Sequence, residues 1–75
     1  MRDILRKARE DAGLTQTELA RLARMDRSNY VHIELGDRNP SLGGATAIAR
    51  VLGKPIEVLF PSGDVLAQRT ASRAD

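Results

Sequence analysis

The sequence contains no cysteine, which excludes a disulfide framework and any metal site built on thiolates. Its one histidine, His32, has no second histidine to pair with. The carboxylates show neither metal-ligand spacing nor pairing within an apolar pattern. We therefore expect no metal, no cofactor and no enzymatic activity. The absence of cysteine also fits a reducing compartment, so we expect a cytoplasmic protein.

Long apolar runs and aromatic side chains are lacking as well. No segment approaches the ~20 apolar residues that span a bilayer, and the N-terminus has no signal-peptide pattern, so we expect no membrane association. Tyr30 and Phe60 are the only aromatic residues, so the core must be aliphatic. A chain of 75 residues makes one domain with a thin core, which suits close-packed helices better than a β-sandwich.

Neither sign of charge predominates, because the sequence has 12 lysines and arginines against 10 acidic residues and its net charge is only +2. This balance is a weak argument for binding nucleic acid. The distribution is more informative, because four arginines lie between positions 21 and 38 against three acids, one of which, Asp26, is expected to cap a helix. Taken alone, the same pattern also fits a solvated surface of mixed charge.

Residues 15–39 predict a short helix, a tight turn, a second helix and a glycine stop, which is the layout of a helix-turn-helix. Thr15 and Glu18 have the spacing of a capping box, which fixes the start of the first helix. The apolar pattern then breaks before Asp26. As a good N-cap residue, Asp26 is expected to open the second helix, from about Arg27 to Leu35.

The segments on either side predict three further helices. Apolar spacing and capping residues place them from Arg2 to Ala12, from the N-cap Ser41 to about Leu52, and from Pro55 or Ile56 to about Phe60. From position 61 to 75 the composition becomes small and polar. We expect a flexible tail there, in which Val65 and Leu66 could extend a helix.

The run from Leu14 to Leu42 reads TQ-x-ELA and then DRS-x-Y-x-x-IE-x-G-x-RNPSL, and it is similar to the Cro and phage-repressor-like (XRE-type) helix-turn-helix family. The resemblance extends from about Leu5 to Phe60. It implies an all-α, compact five-helix lambda-repressor-like DNA-binding domain over residues 1–60, with the helix-turn-helix at about 15–35. It also implies a sequence-specific transcription regulator that binds the major groove of a (pseudo)palindromic operator as a homodimer.

Within this family the sequence most resembles the controller proteins of restriction–modification systems, through Asp26-Arg27-Ser28, Tyr30, Ile33-Glu34 and Arg38-Asn39-Pro40. Related residues occur in antitoxins and prophage repressors. An antitoxin-type protein-binding module that autoregulates its operon therefore stays an alternative, as does a prophage repressor. No small-molecule ligand is expected in any of these cases.

Helix geometry and the resemblance together assign roles to individual residues. Base contacts are expected on the outer face of the second helix of the motif, from Arg27, Ser28, Asn29 and His32. Phosphate contacts are expected from Gln16, Thr17, Arg24, Tyr30, Arg38 and Asn39. The resemblance further implies a structural ion pair between Arg9 and Glu34. It also implies a dimer interface at Ile56, Leu59 and Phe60, for which core filling is the alternative.

Two positions depart from the family pattern. Arg24 stands in the turn where the family commonly has glycine, which takes a positive φ without strain. Either the arginine accepts that strain or the turn has a different shape. Gly43 and Gly44 fall inside the predicted fourth helix, where each glycine costs up to about 1 kcal/mol relative to alanine. Either the helix frays there or another group packs very close.

Overall fold

The structure, a computed structural model, describes residues 1–61 and 63–65. This part of the chain forms five helices, namely α1 (Asp3–Asp11), α2 (Gln16–Leu22), α3 (Arg27–Leu35), α4 (Leu42–Leu52) and α5 (Ile56–Leu59). They confirm the predicted all-α, five-helix fold. None of the described helices is long and apolar enough to cross a membrane. Residues 62 and 66–75, which hold most of the predicted tail and its Leu66, lie outside the described residues.

Capping residues set several of the helix ends. The hydroxyl of Thr15 accepts from the backbone N–H of Glu18 at 3.0 Å, and the Glu18 carboxylate accepts from the N–H of Thr15 at 2.8 Å. This is the predicted capping box of α2. Ser41 likewise begins α4 by accepting from the N–H of Gly44. Asp26 takes the predicted N-cap position of α3, but its side chain makes no hydrogen bond there, so α3 lacks the cap that the residue type predicts.

The core is aliphatic apart from one tyrosine and one phenylalanine, and every helix contributes to it. α2 packs on α3 and α4, while α1 packs on α3 and α5, and α4 also contacts α5. The buried hydrophobic residues are Leu5, Ala8, Leu19, Ala20, Ala23, Tyr30, Ile33, Ala45, Ile48, Ala49, Leu59 and Phe60. Because each fully buried leucine or isoleucine contributes about 1.5–3 kcal/mol, these few side chains carry most of the stability.

α5 closes this core, and it does not form the predicted apolar patch. Leu59 is 1% exposed and Phe60 is 3% exposed. The prediction that both lie in a dimer interface is therefore wrong. A small domain with few large apolar side chains needs these two inside. Ile56, the third residue of the predicted patch, is half-buried and packs against the edge of the core.

α4 runs unbroken through Gly43 and Gly44, so it does not fray there. A Cβ at Gly44 would lie 3.4 Å from the hydroxyl oxygen of Ser41 and 3.6 Å from the terminal carbon of Met25, which are ordinary contact distances. A Cβ at Gly43 would meet only the Ser41 hydroxyl, at 3.9 Å. Neither of the two expected explanations applies, because close packing does not require either glycine.

Candidate nucleic-acid interface

The turn between α2 and α3 sets the orientation of the two helices. Arg24 has a φ of 59°, the one positive φ outside glycine among the described residues. This conformation costs an L-residue about 1–2 kcal/mol. The next residue, Met25, donates its N–H to the carbonyl of Ala20 at 2.9 Å and packs its side chain against the core. The chain therefore accepts strain at Arg24 and keeps the tight turn, with the Arg24 side chain exposed to solvent.

The outer part of α3 carries the four residues predicted to contact bases. Arg27 and Ser28 are exposed in the first turn, whereas Asn29 and His32 are half-buried. Ser28 and His32 lie one turn apart and therefore share a face. The guanidinium of Arg27 is a fork of donors that matches the two acceptors of a guanine edge. The first turn of α3 thus has both the exposure and the chemistry for contacts in the major groove.

A buried carboxylate fixes α3 against the two preceding helices. Glu34 is 2% exposed, and its oxygens accept from Arg9 Nε at 2.8 Å and Arg9 Nη2 at 3.2 Å. The hydroxyl of Tyr30 and the amide of Gln16 also donate to Glu34, each at 2.8 Å. Arg9 donates further to the carbonyl of Leu14 at 2.8 Å. We call the group of Arg9, Gln16, Tyr30 and Glu34 the Glu34 network, and it joins α1, α2 and α3.

The acid–base properties of the Glu34 network follow from its contacts. Burial alone would raise the pKa of Glu34, but the hydrogen bonds donated by Arg9, Tyr30 and Gln16 outweigh it and hold that pKa below its usual range. The hydrogen bond to Glu34 raises the pKa of Arg9. Burial, together with the hydrogen bond to Glu34, raises the pKa of Tyr30 well above its ordinary value. The network is therefore a charged pair with a neutral phenol.

This geometry corrects one of the predicted phosphate contacts. Tyr30 is fully buried and its hydroxyl is bonded to Glu34, so it has no surface to offer to DNA. The prediction of a phosphate contact from Tyr30 is therefore wrong, because the phenol is needed inside to satisfy the carboxylate. Gln16 is half-buried, and its amide already bridges the first turn of α2 to α3. Thr17, beside it, is exposed.

The loop after α3 folds back onto that helix. Arg38 donates from Nη1 to the amide oxygen of Asn29 at 2.9 Å. His32 Nδ1 lies 3.0 Å from a carboxylate oxygen of Asp37. Because arginine has no acceptor, the side chain of Asn29 must turn its oxygen toward Arg38. Two predicted base-contacting residues are thus linked to the loop, and Arg38 lies beside the exposed face of α3.

Arg2 is the residue of this region that sequence reasoning missed. Its side chain is 11% exposed and spans the end of α3 and the following loop. Nη1 donates to the carbonyls of Ile33 at 2.6 Å and Arg38 at 3.1 Å, and Nη2 donates to the amide oxygen of Asn39 at 2.6 Å. The sequence contains no signal for these contacts, since Arg2 is one basic residue among 12 and its partners lie more than thirty positions away.

The described residues contain no group of three or more histidine, aspartate or glutamate side chains close enough to hold a metal ion. Apart from Ile56, Leu59 and Phe60, the predicted site residues fall into two sets. Those on the exposed side of the motif are Thr17, Arg24, Arg27, Ser28, Asn29, His32, Arg38 and Asn39. Those drawn inward are Arg9, Gln16, Tyr30 and Glu34, the members of the Glu34 network.

Comparison with known proteins places this geometry in a family. A model of the helix-turn-helix family matches residues 5–59. An uncharacterized HTH-type transcriptional regulator of Archaeoglobus fulgidus is 45% identical over 60 residues, which cover 80% of this chain and 86% of the relative. A second such regulator, from Methanothermobacter thermautotrophicus, is 43% identical over 61 residues, which cover 80% of this chain and 88% of the relative.

A solved structure agrees with these relatives. The crystal structure of the restriction-modification controller protein C.AhdI from Aeromonas hydrophila superposes with a TM-score of 0.70 at 39% sequence identity. The match covers 75% of this chain and 85% of that one. Since the family model spans most of the sequence and the relatives align over nearly all of their own length, the chain belongs to the helix-turn-helix family of transcriptional regulators.

Proposed function

We propose that this protein is a sequence-specific DNA-binding transcription regulator that binds a (pseudo)palindromic operator as a homodimer. The observation that carries the proposal is the exposed first turn of α3, with Arg27 and Ser28, held in a fixed orientation by the Glu34 network. A rigidly held helix with outward donors and acceptors suits direct contacts to base edges in the major groove.

The similarity to C.AhdI supports a more specific role as the controller protein of a restriction–modification system. The neighbouring gene tests this role. A restriction endonuclease or methyltransferase gene beside this one is the expected result. A small toxin gene in that place would contradict the controller role and would favour the antitoxin alternative.

The homodimer brings two recognition helices to one face of the DNA, with half-sites about 34 Å apart. With Leu59 and Phe60 in the core, we place the pairing surface on the half-buried apolar residues of α4 and α5, which are Ala47, Val51, Leu52 and Ile56, together with the exposed Val58. A twofold axis lets the same edge serve both protomers. Sedimentation at micromolar concentration should give a dimer. A monomer that occupies one half-site with full affinity would contradict this assembly.

Arg27 and Arg38 should contribute differently to binding. Arg27 projects from the exposed first turn of α3, where it can reach a guanine. Arg38 follows the end of α3, and its donors other than the one bonded to Asn29 suit the acceptor oxygens of a phosphate. Arg27→Ala should therefore cost about 1–3 kcal/mol and relax the preference at one position of each half-site. Arg38→Ala should weaken binding to all DNA sequences alike and reduce the dependence of the affinity on salt concentration.

A randomised operator library, bound at two salt concentrations, separates these outcomes. Lys7→Ala is a suitable control, because it removes one positive charge from α1 at a site that faces solvent and whose one ion pair within the described residues is with Asp11. It should change neither the preference nor the affinity by much. The proposed docking is wrong if Arg27→Ala keeps the full preference while Arg38→Ala loses it at a defined base.

A further inference from the structure

We propose that Arg2 is a positioning residue for DNA binding, which holds the loop at 36–39 in the conformation that brings Arg38 and Asn39 to the DNA backbone. This inference rests on the proposed function. It extends that function to a residue whose side chain is 11% exposed and which therefore acts through its neighbours.

Arg2 lies outside α3 and donates hydrogen bonds to carbonyl oxygens at the C-terminal end of that helix. Its backbone N–H donates to the carbonyl of Glu34 at 2.8 Å, and its guanidinium donates to the carbonyl of Ile33. These carbonyls belong to the last turn, where some acceptors have no partner within the helix. A cation at this end also opposes the negative pole of the helix dipole. Gly36, with a φ of 93°, ends α3, and Arg2 holds that end in place against the start of the loop.

The same guanidinium holds the loop itself. It donates to the carbonyl of Arg38 and to the amide oxygen of Asn39, both of which lie outside any helix. Because its oxygen accepts from Arg2, the amide of Asn39 keeps its two N–H donors for other partners, which suits a phosphate oxygen. The main chain of Arg38 is fixed while its side chain stays exposed. Arg2 therefore positions Arg38 and Asn39, the two predicted phosphate-contacting residues, without occupying the N–H donors of their side chains.

Arg2 is itself held by two further residues. Its guanidinium carbon lies 5.3 Å from the centre of the Phe60 ring, within the range of a cation–π contact. A carboxylate oxygen of Asp64 lies 3.8 Å from Nη2. Phe60 belongs to the core, so the loop is tied through Arg2 to the rigid part of the domain. A loop that is ordered before binding loses less freedom on the DNA, which strengthens binding.

The test compares Arg2→Gln, Arg2→Lys and the control Lys7→Gln for binding to the selected operator and to an unrelated duplex over a series of salt concentrations. Circular dichroism first establishes a temperature at which each variant is folded. Arg2→Gln should weaken binding to both duplexes about tenfold, and the salt slope should fall by about 0.9 for each phosphate that the loop no longer binds. Arg2→Lys keeps the charge but not the planar fork, so it should resemble Arg2→Gln. It also serves as the test if Arg2→Gln does not fold.

The outcomes separate the inference from the proposed function. If Arg2→Gln lowers the melting temperature but keeps the affinity and the salt slope, Arg2 is merely structural and the inference is wrong. It is also wrong if Lys7→Gln weakens binding equally, or if Arg2→Lys restores full binding, because long-range charge then explains the effect. If the parent protein binds no selected duplex, the proposed function fails and the inference fails with it.

Discussion

Replacing Glu34 with alanine should destabilise this protein more than any surface change. The substitution removes the acceptor of the Glu34 network and leaves three donor groups without their partner: the guanidinium of Arg9, the hydroxyl of Tyr30 and the amide of Gln16. Breaking a buried ion pair from one side costs about 3–5 kcal/mol, chiefly because the remaining charge is uncompensated. The Arg9 side chain is 11% exposed, so water relieves this penalty only in part.

This destabilisation is large on the scale of the whole domain. At about 0.05–0.15 kcal/mol per residue, a chain of 75 residues has about 4–11 kcal/mol of total stability. One kcal/mol corresponds to about 4–8 °C in a domain of this size, so the melting temperature of Glu34→Ala should fall by at least about 12 °C. Thermal melts followed by circular dichroism measure the difference.

Glu10→Ala is the matched control. The side chain of Glu10 is 54% exposed and lies 4.0 Å from Nη2 of Arg9, so the substitution removes a carboxylate next to the same guanidinium but from the surface. Its effect should stay within about 0.5 kcal/mol. If Glu34→Ala melts within about 2 °C of the parent, or no lower than Glu10→Ala, then Glu34 is not the buried centre of the domain and the packing described above is wrong.

Three further predictions concern stability. The pKa of Glu34 in the folded protein lies below its unfolded value of about 4.3, so the Glu34 network stabilises the fold fully above that pH. Denaturant unfolding should show the free energy of unfolding falling as the pH drops through the folded pKa. An equally acid-sensitive Glu34→Gln would contradict this origin. Arg24→Gly should raise stability by up to about 1 kcal/mol by relieving the positive φ, and a lower melting temperature would show that the arginine side chain stabilises the turn. Gly43→Ala should add about 0.5 kcal/mol, since it meets no close neighbour, and a lower melting temperature would contradict the open surroundings of this glycine.

Local sequence signals predict the helices well because capping chemistry is local. The Thr15–Glu18 box and the glycine at position 36 each depend on residues a few positions apart. α2 begins where the box indicates, and α3 ends where the glycine indicates. The predicted start of α1 lies one residue too early. Arg2 lies before the first residue of that helix because it is hydrogen-bonded to the end of α3. The apolar periodicity of α1 cannot predict a partner so distant in the sequence.

The candidate site is harder to predict, since residue type does not fix the direction of a side chain. Surface roles for Tyr30, Leu59 and Phe60 are in keeping with their chemistry, but a thin core needs them inside. Helical spacing correctly indicates the outer face of α3 and its exposed Arg27. It cannot indicate the contact between Asn29 and Arg38, because the course of the intervening loop depends on tertiary packing.

The burial of Tyr30 also gives this protein an internal optical probe. The chain has one tyrosine and no tryptophan, so its near-ultraviolet spectrum is dominated by a single ring at the junction of α1, α2 and α3. Burial and the hydrogen bond to Glu34 raise the pKa of Tyr30. The stabilisation that the neutral phenol gives the folded state is therefore fully present below the ordinary tyrosine pKa of about 10 and is lost as the pH rises above it. The phenolate absorbance should then appear as a steep, cooperative step when the interior opens. An alkaline titration therefore reports, without any label, whether α3 is packed against α1 and α2.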